Sequence, residues 1–336
     1  MSKAKDQETQ MISHRLSVAP MMGYTDRHAR FLMRLLTRHT MLYTEMITSG
    51  AIKHGDKDRL LAFNQAEHPL ALQVGGHDPD EMAISARSAE EKGFDEVNIN
   101  VGCPSSRVRS GRIGACLMAE PKTVANCVKA MRKACELPVT VKCRTGIDSQ
   151  DSFDSLLDFI QCVSYAGCKT FIIHARKAWL EGISPKQNRD LPPLCYDKVY
   201  RVKQVLPELE IIINGGIKTF DQIDAHLHYA DGVMIGRAAY HDPWMLASAD
   251  SRLFNDKDAM SNREQVILGY LPYVEAQLTQ GEPLMRMARH LTGLVLNQPG
   301  ARNFRRYLSE HGHVQSAGPE VIERALAFIV PEKIAA

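Results

Sequence analysis

Eight short apolar runs, each followed by residues with helical spacing, restrict this chain to very few architectures. The runs lie at 16–20, 42–46, 70–76, 96–102, 139–144, 170–175, 211–216 and 232–237. Helical patterns fill most of the gaps, at 26–38, 78–92, 121–135, 151–165, 197–205 and 220–228, and several begin with Asp or Pro, as helix N-termini do. Strand alternating with helix builds a parallel sheet, and eight repeats predict an α/β fold of the (β/α)8 TIM-barrel type. A doubly wound sheet is the alternative. It is disfavoured because the chain contains no G-x-G dinucleotide fingerprint and no P-loop. The alternation stops near Phe254. A polar stretch, Asn255-Asp256-Lys257-Asp258, follows, and from Asn262 the pattern is purely helical. The expected organisation is a barrel over 1–254 and a small all-helical domain over 255–336.

With 336 residues, 44% of them hydrophobic, the chain can bury a barrel-sized core plus an appendage. A formal net charge of +2 forces no nucleic-acid partner, so any basic surface must be local. The first fifteen residues lack an apolar core, and no run approaches a membrane span, so neither a signal peptide nor a membrane partner is expected. Eight cysteines are scattered without a C-x-x-C pair or zinc spacing to histidines. They suggest a reduced, cytoplasmic protein with no metal.

A barrel carries its active site where its strands end. The fourth run ends Asn98-Ile99-Asn100-Val101-Gly102-Cys103-Pro104, placing a thiol just past a strand. A loop with Arg107, Arg109, Gly111, Arg112 and Gly114, and no acid, comes next. A nucleophile, a metal ligand or an acid would each fit a cysteine so placed, though metal partners are missing. The seventh and eighth runs end Asn214-Gly215-Gly216 and Gly236-Arg237. Glycines there let backbone N–H groups approach a phosphate, and Arg237 would add charge; ordinary turns are the alternative. Lys142 and His174 point inward from neighbouring strands, and a lysine is hard to bury without an anion or an electron-rich ring edge. Gln73 can hydrogen-bond a heterocycle. Met21 and Met22 suit packing on a flat ring or simple core filling. This pattern asks for a flat phosphorylated cofactor held without a Rossmann motif, and FMN fits.

The stretches VAPMMGYTDRHAR (18–30), LYTEM (42–46), ALQVGG (71–76), NINVGCPSSRVRSGRIGACLM (98–118), VTVKCRTGID (139–148), FIIHARKAWLEGISPKQNR (171–189), INGGIK (213–218) and DGVMIGRAAY (231–240) together resemble the tRNA-dihydrouridine synthase family. The 171–189 run, with GARNFRRYL at 300–308, is similar to its A branch, which acts on uridines 20 and 20a of the tRNA D loop. The resemblance implies FMN held by Pro20, Met21, Met22, Gln73, Lys142, His174, Asn214, Gly215, Gly216, Gly236 and Arg237. It implies Cys103 as proton donor, Asn100 at the target nucleotide, NADPH as hydride source, and tRNA contacts from Lys186, Arg189, Arg302 and Arg305.

Reducing uracil places a hydride on C6 and a proton on C5. An ordinary cysteine, with a pKa of about 8.5, stays protonated at neutral pH yet can give up its proton. A cationic Lys142 would stabilise an anionic reduced flavin. A uridine inside folded tRNA must be extruded to reach a barrel mouth. Between Met285 and Leu308 there are five arginines and no acid: Arg286, Arg289, Arg302, Arg305 and Arg306. On helices, Arg286, Arg289 and His290 would share one face and Arg302, Arg305 and Arg306 another, as phosphate contact requires. A flavin enzyme acting on a free pyrimidine would leave those arginines without a role. A non-catalytic RNA-binding barrel would leave Cys103 and Lys142 without one.

Overall fold

The computed structural model describes residues 13–105, 111–260 and 262–329. Its parallel strands are β1 (Leu16–Val18), β2 (Leu42–Tyr43), β3 (Ile47–Thr48), β4 (Leu70–Gly75), β5 (Glu96–Asn100), β6 (Val139–Arg144), β7 (Thr170–His174), β8 (Glu210–Asn214) and β9 (Gly232–Ile235). They hydrogen-bond in the order β1-β9-β8-β7-β6-β5-β4-β2, with β3 also on β4. Met41 closes the ring: its N–H donates to Leu16 O at 3.0 Å, and its carbonyl accepts from Val18 N–H at 2.9 Å. The expected barrel is thus present. The second apolar run, 42–46, keeps only β2 as strand, β3 lies just beyond it, and two short helices, Ser49–His54 and Lys57–Leu60, follow where no helix was expected.

Alternation within each strand sorts side chains between two environments. In β6, Val139, Val141 and Cys143 join the large apolar shell between strands and helices. The intervening Thr140, Lys142 and Arg144 face the interior: Lys142 reaches Asn214 across β7, which only an inward side chain can do. The interior has its own apolar plug of Ala19, Met41, Tyr43, Ala71, Ile172, Ile212 and Met234. Side-chain caps fix the helix starts. Asp26 accepts from His28 and Ala29 N–H at the head of Arg27–Leu36, and Asp78 accepts from Glu81 N–H before Pro79–Lys92.

The helices Arg263–Thr279, Leu284–Ala288, Leu291–Leu294, Ala301–His311 and Glu320–Leu326 pack on the barrel and share its apolar core. The docking face is helix Arg27–Leu36. Phe31 stacks on Tyr273 with ring centroids 4.0 Å apart, and Tyr273 OH meets His28 Nδ1 at 2.8 Å. The polar stretch at 255–258 is tied down as well, with Asp256 paired to Arg38 and His39.

Polar groups close the N-terminal end of the barrel. His14 Nε2 lies 2.6 Å from Glu96 Oε2, and its Nδ1 lies 3.0 Å from Glu210 Oε1. Tyr43 OH and Thr140 Oγ1 donate to Glu96 at 2.9 and 2.6 Å, and Thr170 Oγ1 donates to Glu210 at 2.7 Å. Glu96 is 0% exposed, so its charge depends entirely on these partners. Burial alone would lower the pKa of His14, but the two glutamates outweigh it and raise it to about 10 from an ordinary 6.5. The group binds its proton more tightly folded than unfolded, so its contribution is complete below about pH 6.5 and is lost as pH rises towards 10. Replacing Glu96 with Gln is expected to cost about 3–5 kcal/mol and to flatten the fall in thermal stability between pH 6.5 and 9.5. Melting curves across that range check both outcomes; an unchanged pH slope in the variant would remove His14 from this account.

Candidate active site

The C-terminal strand ends hold the residues that the sequence singled out. Register sets Asn100 beside Lys142, Arg144 beside His174, and His174 beside Asn214. Asn100 is the organiser of this end. Its Oδ1 accepts from the N–H groups of Gly102 at 3.1 Å and Cys103 at 2.9 Å, folding the chain off β5 in a tight turn. Cys103 O accepts from Ala115 N–H at 2.9 Å, so both sides of the cysteine backbone are tied. Arg144 adds a third restraint: its Nε donates to Gly102 O at 2.7 Å, and its Nη1 to the carbonyls of Lys177 and Asn188 at 3.2 Å. The Cys103 thiol is half-buried and unbridged, within electrostatic reach of Lys142 and Arg144.

Asn100 was expected at the substrate. Its side chain, 9% exposed, is largely committed to the turn and to Gln73, leaving one amide hydrogen for a ligand. A single-direction chain of hydrogen bonds runs back from it. Asn100 Nδ2 donates to Gln73 Oε1, Gln73 Nε2 to Asn98 Oδ1, and Asn98 Nδ2 to Thr140 Oγ1, each at 2.8 Å. Thr140 in turn donates to Glu96. Gln73, 1% exposed, therefore has most of its hydrogen-bonding capacity engaged inside the protein.

Lys142 Nζ donates to Asn214 Oδ1 at 3.2 Å, and Asn214 Nδ2 donates to Met234 O at 2.7 Å. Burial, with the charge of Arg144 second, pushes Lys142 down to about 8, so an anion bound against it would restore its full charge. Burial and the same cations hold His174 well below its usual range, as a neutral imidazole.

The glycines after β8 are required by space. A Cβ on Gly215 (φ +120°) would stand 2.7 Å from the His174 ring, and one on Gly216 (φ +74°) 2.6 Å from Leu194. Gly236 faces Met21 and Ala19, which brings the ends of β9 and β1 together. The Met21 turn is braced by Thr25, whose Oγ1 accepts from Met21 N–H at 2.9 Å; Pro20 is half-buried before it, and Met22 is 67% exposed. Arg237 departs from expectation. Its guanidinium is paired with Asp190 at 2.8 Å, so it brings no free charge to the glycines. Arg176, which the sequence reading passed over, lies near this pair and keeps a buried Nε with no partner among the described residues. Arg144 was also passed over. Its signal was the inward period of two from Lys142.

The expected RNA-facing cations divide sharply. Lys186 and Arg189 stand exposed on a turn whose buried Asn188 clasps both backbone groups of Trp179, at 2.8 and 2.9 Å. Arg302, Arg305 and Arg306 are exposed on helix Ala301–His311, as expected. The first set does not form one face, because the helix breaks between Ala288 and Leu291. There Arg286 pairs with Glu282, Arg289 pairs with Asp26, and His290 is buried on Asp26. Arg112 pairs with Glu120 at 2.8 Å, whereas Arg107 and Arg109 fall outside the described residues. No group of three or more His, Cys, Asp or Glu that could hold a metal occurs among the described residues, and no helix there is long and apolar enough to cross a membrane.

Comparisons with known proteins fit this geometry. The family model described as dihydrouridine synthase matches residues 17–329. A tRNA-dihydrouridine(20/20a) synthase of Vibrio vulnificus is 54% identical over 321 residues, covering 95% of this chain and 98% of that protein. Proteins of the same name from Shewanella oneidensis and Escherichia coli K12 are each 52% identical, covering 100% and 96% of this chain and 100% and 93% of their own lengths. Among solved structures, an old yellow enzyme homologue from Zymomonas mobilis aligns with 72% of this chain and 88% of its own, at a TM-score of 0.52 and 14% identity, which supports the barrel fold. With a family model spanning nearly all of its length and relatives more than half identical end to end, this chain belongs to the dihydrouridine synthase family.

Proposed function

We propose that the protein reduces the C5=C6 bond of uridine to 5,6-dihydrouridine at positions 20 and 20a of the tRNA D loop, with FMN at the barrel mouth and NADPH as reductant, in the cytoplasm. The observation that carries this reading is the Cys103 thiol, its backbone fixed on both sides and within electrostatic reach of Lys142, in a chain over half identical to tRNA-dihydrouridine(20/20a) synthases. The donor set suits FMN. Lys142 lacks an anionic partner among the described residues, Arg176 keeps an unmet buried donor, and at the end of β9 Gly236 has nothing nearer than 3.7 Å to its Cβ position, whereas those of Gly215 and Gly216 are filled by His174 and Leu194. Lys142, Gln73, His174 and Asn214 would hold the ring system, the glycines the phosphate, with Arg237 joining them only by leaving or sharing Asp190, and Pro20, Met21 and Met22 its flank. When bound, FMN supplies the hydride that C6 accepts.

The chain's own part is to position and protonate. Cys103 delivers its proton to C5 as the double bond is lost, so two hydrogens enter the ring and the thiolate is left to regain a proton from solvent. Charge develops on the uracil C4 oxygen in between, and the buried cation of Lys142 stabilises it. The remaining amide hydrogen of Asn100 is available to a uracil edge.

A polymeric substrate is favoured over a free pyrimidine by four exposed cations. Among the described residues, Lys186, Arg189, Arg302 and Arg305 make no side-chain hydrogen bond or ion pair, while Arg27, Arg30, Arg237, Arg286 and Arg289 are all paired. Unpaired surface cations are what a phosphate backbone recruits. Cys103→Ala is expected to keep flavin absorbance and tRNA affinity while losing about 10²–10⁴-fold in turnover; undiminished dihydrouridine formation by mass spectrometry would refute the acid role. The double variant Arg302→Ala/Arg305→Ala should weaken tRNA binding and reduce the slope of log K against log salt by roughly 2. An unchanged slope would take the helical domain out of RNA binding.

A further inference from the structure

A cavity of about 230 Å³ opens where the helical part meets the barrel, lined by Tyr240, His241, Arg289, Gly293, Leu296 and Arg305 among others. It is built from groups already held in place. Tyr240 stacks on Tyr24, at a centroid distance of 4.3 Å and 22° between planes, and Tyr24 belongs to the turn that follows Met21 and Met22. Behind Tyr240, buried His290 lies 3.2 Å from its hydroxyl through Nδ1 and 3.0 Å from Asp26 through Nε2. Gly293 lets the two parts meet: a Cβ there would stand 2.8 Å from Tyr240 O and 2.9 Å from His241 O.

The chemistry of the lining is divided. Arg305, unpaired among the described residues, supplies positive charge, whereas Arg289 is neutralised by Asp26, which also holds His290. Leu296, 37% exposed, and the rings of Tyr240 and His241 line the cavity with apolar and aromatic surface. A cation beside aromatic and aliphatic surface, in a space below the usual drug-sized range of roughly 300–1,000 Å³, matches a single nucleotide: a base to stack and a phosphate to pair. We propose that this seam binds one unpaired nucleotide of the RNA substrate other than the reacting uridine, its base against Leu296, Tyr240 and His241 and its phosphate at Arg305. This rests on tRNA being the substrate, and it adds a second anchor from which the target is set in register.

The test uses the flavin-loaded enzyme and unmodified tRNA transcripts, each with one abasic nucleotide in or beside the D loop. Wild-type affinity is expected to fall roughly 5- to 100-fold at one abasic position away from the target. Leu296→Trp, which fills the pocket from its exposed rim, should lose a similar factor on intact tRNA and show no added loss at that position. If no non-target abasic site weakens wild-type binding, or if the Trp variant binds intact tRNA normally, the pocket holds no base. Dihydrouridine formation on the intact transcript is followed in parallel. Its absence overturns the proposed function, whereas normal formation without abasic sensitivity overturns only the pocket.

A separate observation carries a second inference. The bonds from Asn100 through Gln73, Asn98 and Thr140 to Glu96 all run one way. A carboxylate can only accept, so Thr140 must donate to it and accept from Asn98; each carboxamide orientation follows in turn, until Asn100 is left with its oxygen towards the Cys103 N–H. We infer that Thr140 is a positioning residue that aims the Cys103 turn through this relay. Thr140→Val, equal in shape but without the relay, should lower kcat at least 5-fold with KM little changed, and Thr140→Ser should recover most of it. A Val variant that is less stable but retains full kcat, or a Ser variant no better than Val, overturns the relay.

Discussion

The carboxylate of Glu96 fixes the polarity of the barrel interior. It is fully buried and accepts from Tyr43, Thr140 and His14. Its demands run in two directions. Towards the N-terminal end they recruit protonated His14 and, through it, Glu210. Towards the C-terminal end they orient Thr140, Asn98, Gln73 and Asn100 in succession. The apolar plug of Ile172, Ile212 and Met234 occupies β7 to β9, so the polar column on β4 to β6 has a dry wall opposite it. Low local polarity strengthens each bond and penalises any that is broken, which is how a column of neutral amides can hold one geometry.

The barrel was legible because its strands are buried on both faces and read as short apolar runs, such as Phe171-Ile172-Ile173 and Ile211-Ile212-Ile213, with alternation added in β6. The pattern Thr140, Lys142, Arg144 against Val139, Val141, Cys143 separates interior from shell by sequence alone. Where polarity or brevity masked the period, boundaries slipped: the run at 42–46 became β2 and, beyond it, β3, and the helices at Ser49–His54 and Lys57–Leu60 went unseen. The candidate site was legible as a set of residue types at strand ends. What each side chain binds was not. Asn100 and Gln73 look free to greet a ligand, yet most of their capacity is engaged inside the protein. Arg237 looks like an available charge but meets Asp190, a partner 47 residues away that no local pattern could reveal.

The same distinction separates the basic residues of the helical part. Helical spacing placed Arg286, Arg289 and His290 on one face, but the helix ends before Arg289, and the acids Glu282 and Asp26 claim these side chains. They hold the structure together, and in doing so dock the helical part on the N-terminus of helix Arg27–Leu36. Arg302 and Arg305 lie on an uninterrupted helix and make no ion pair among the described residues, and they stay exposed. A charge count along the chain cannot tell fastening cations from idle ones; only the positions of the acids can.

Gly293, pressed against the carbonyls of Tyr240 and His241, has a mechanical consequence. Backbone on backbone leaves no side chain to act as a bearing, and the Phe31–Tyr273 stack and the Asp26 ion pairs clamp the same boundary. The barrel and the helices that carry Tyr273, Arg289 and His290 are therefore fastened together as a jig. For an enzyme that works on a folded RNA, such a jig puts the burden of deformation on the nucleic acid. Selection among RNAs then includes how cheaply each can be pried open at its corner, as well as which bases it carries.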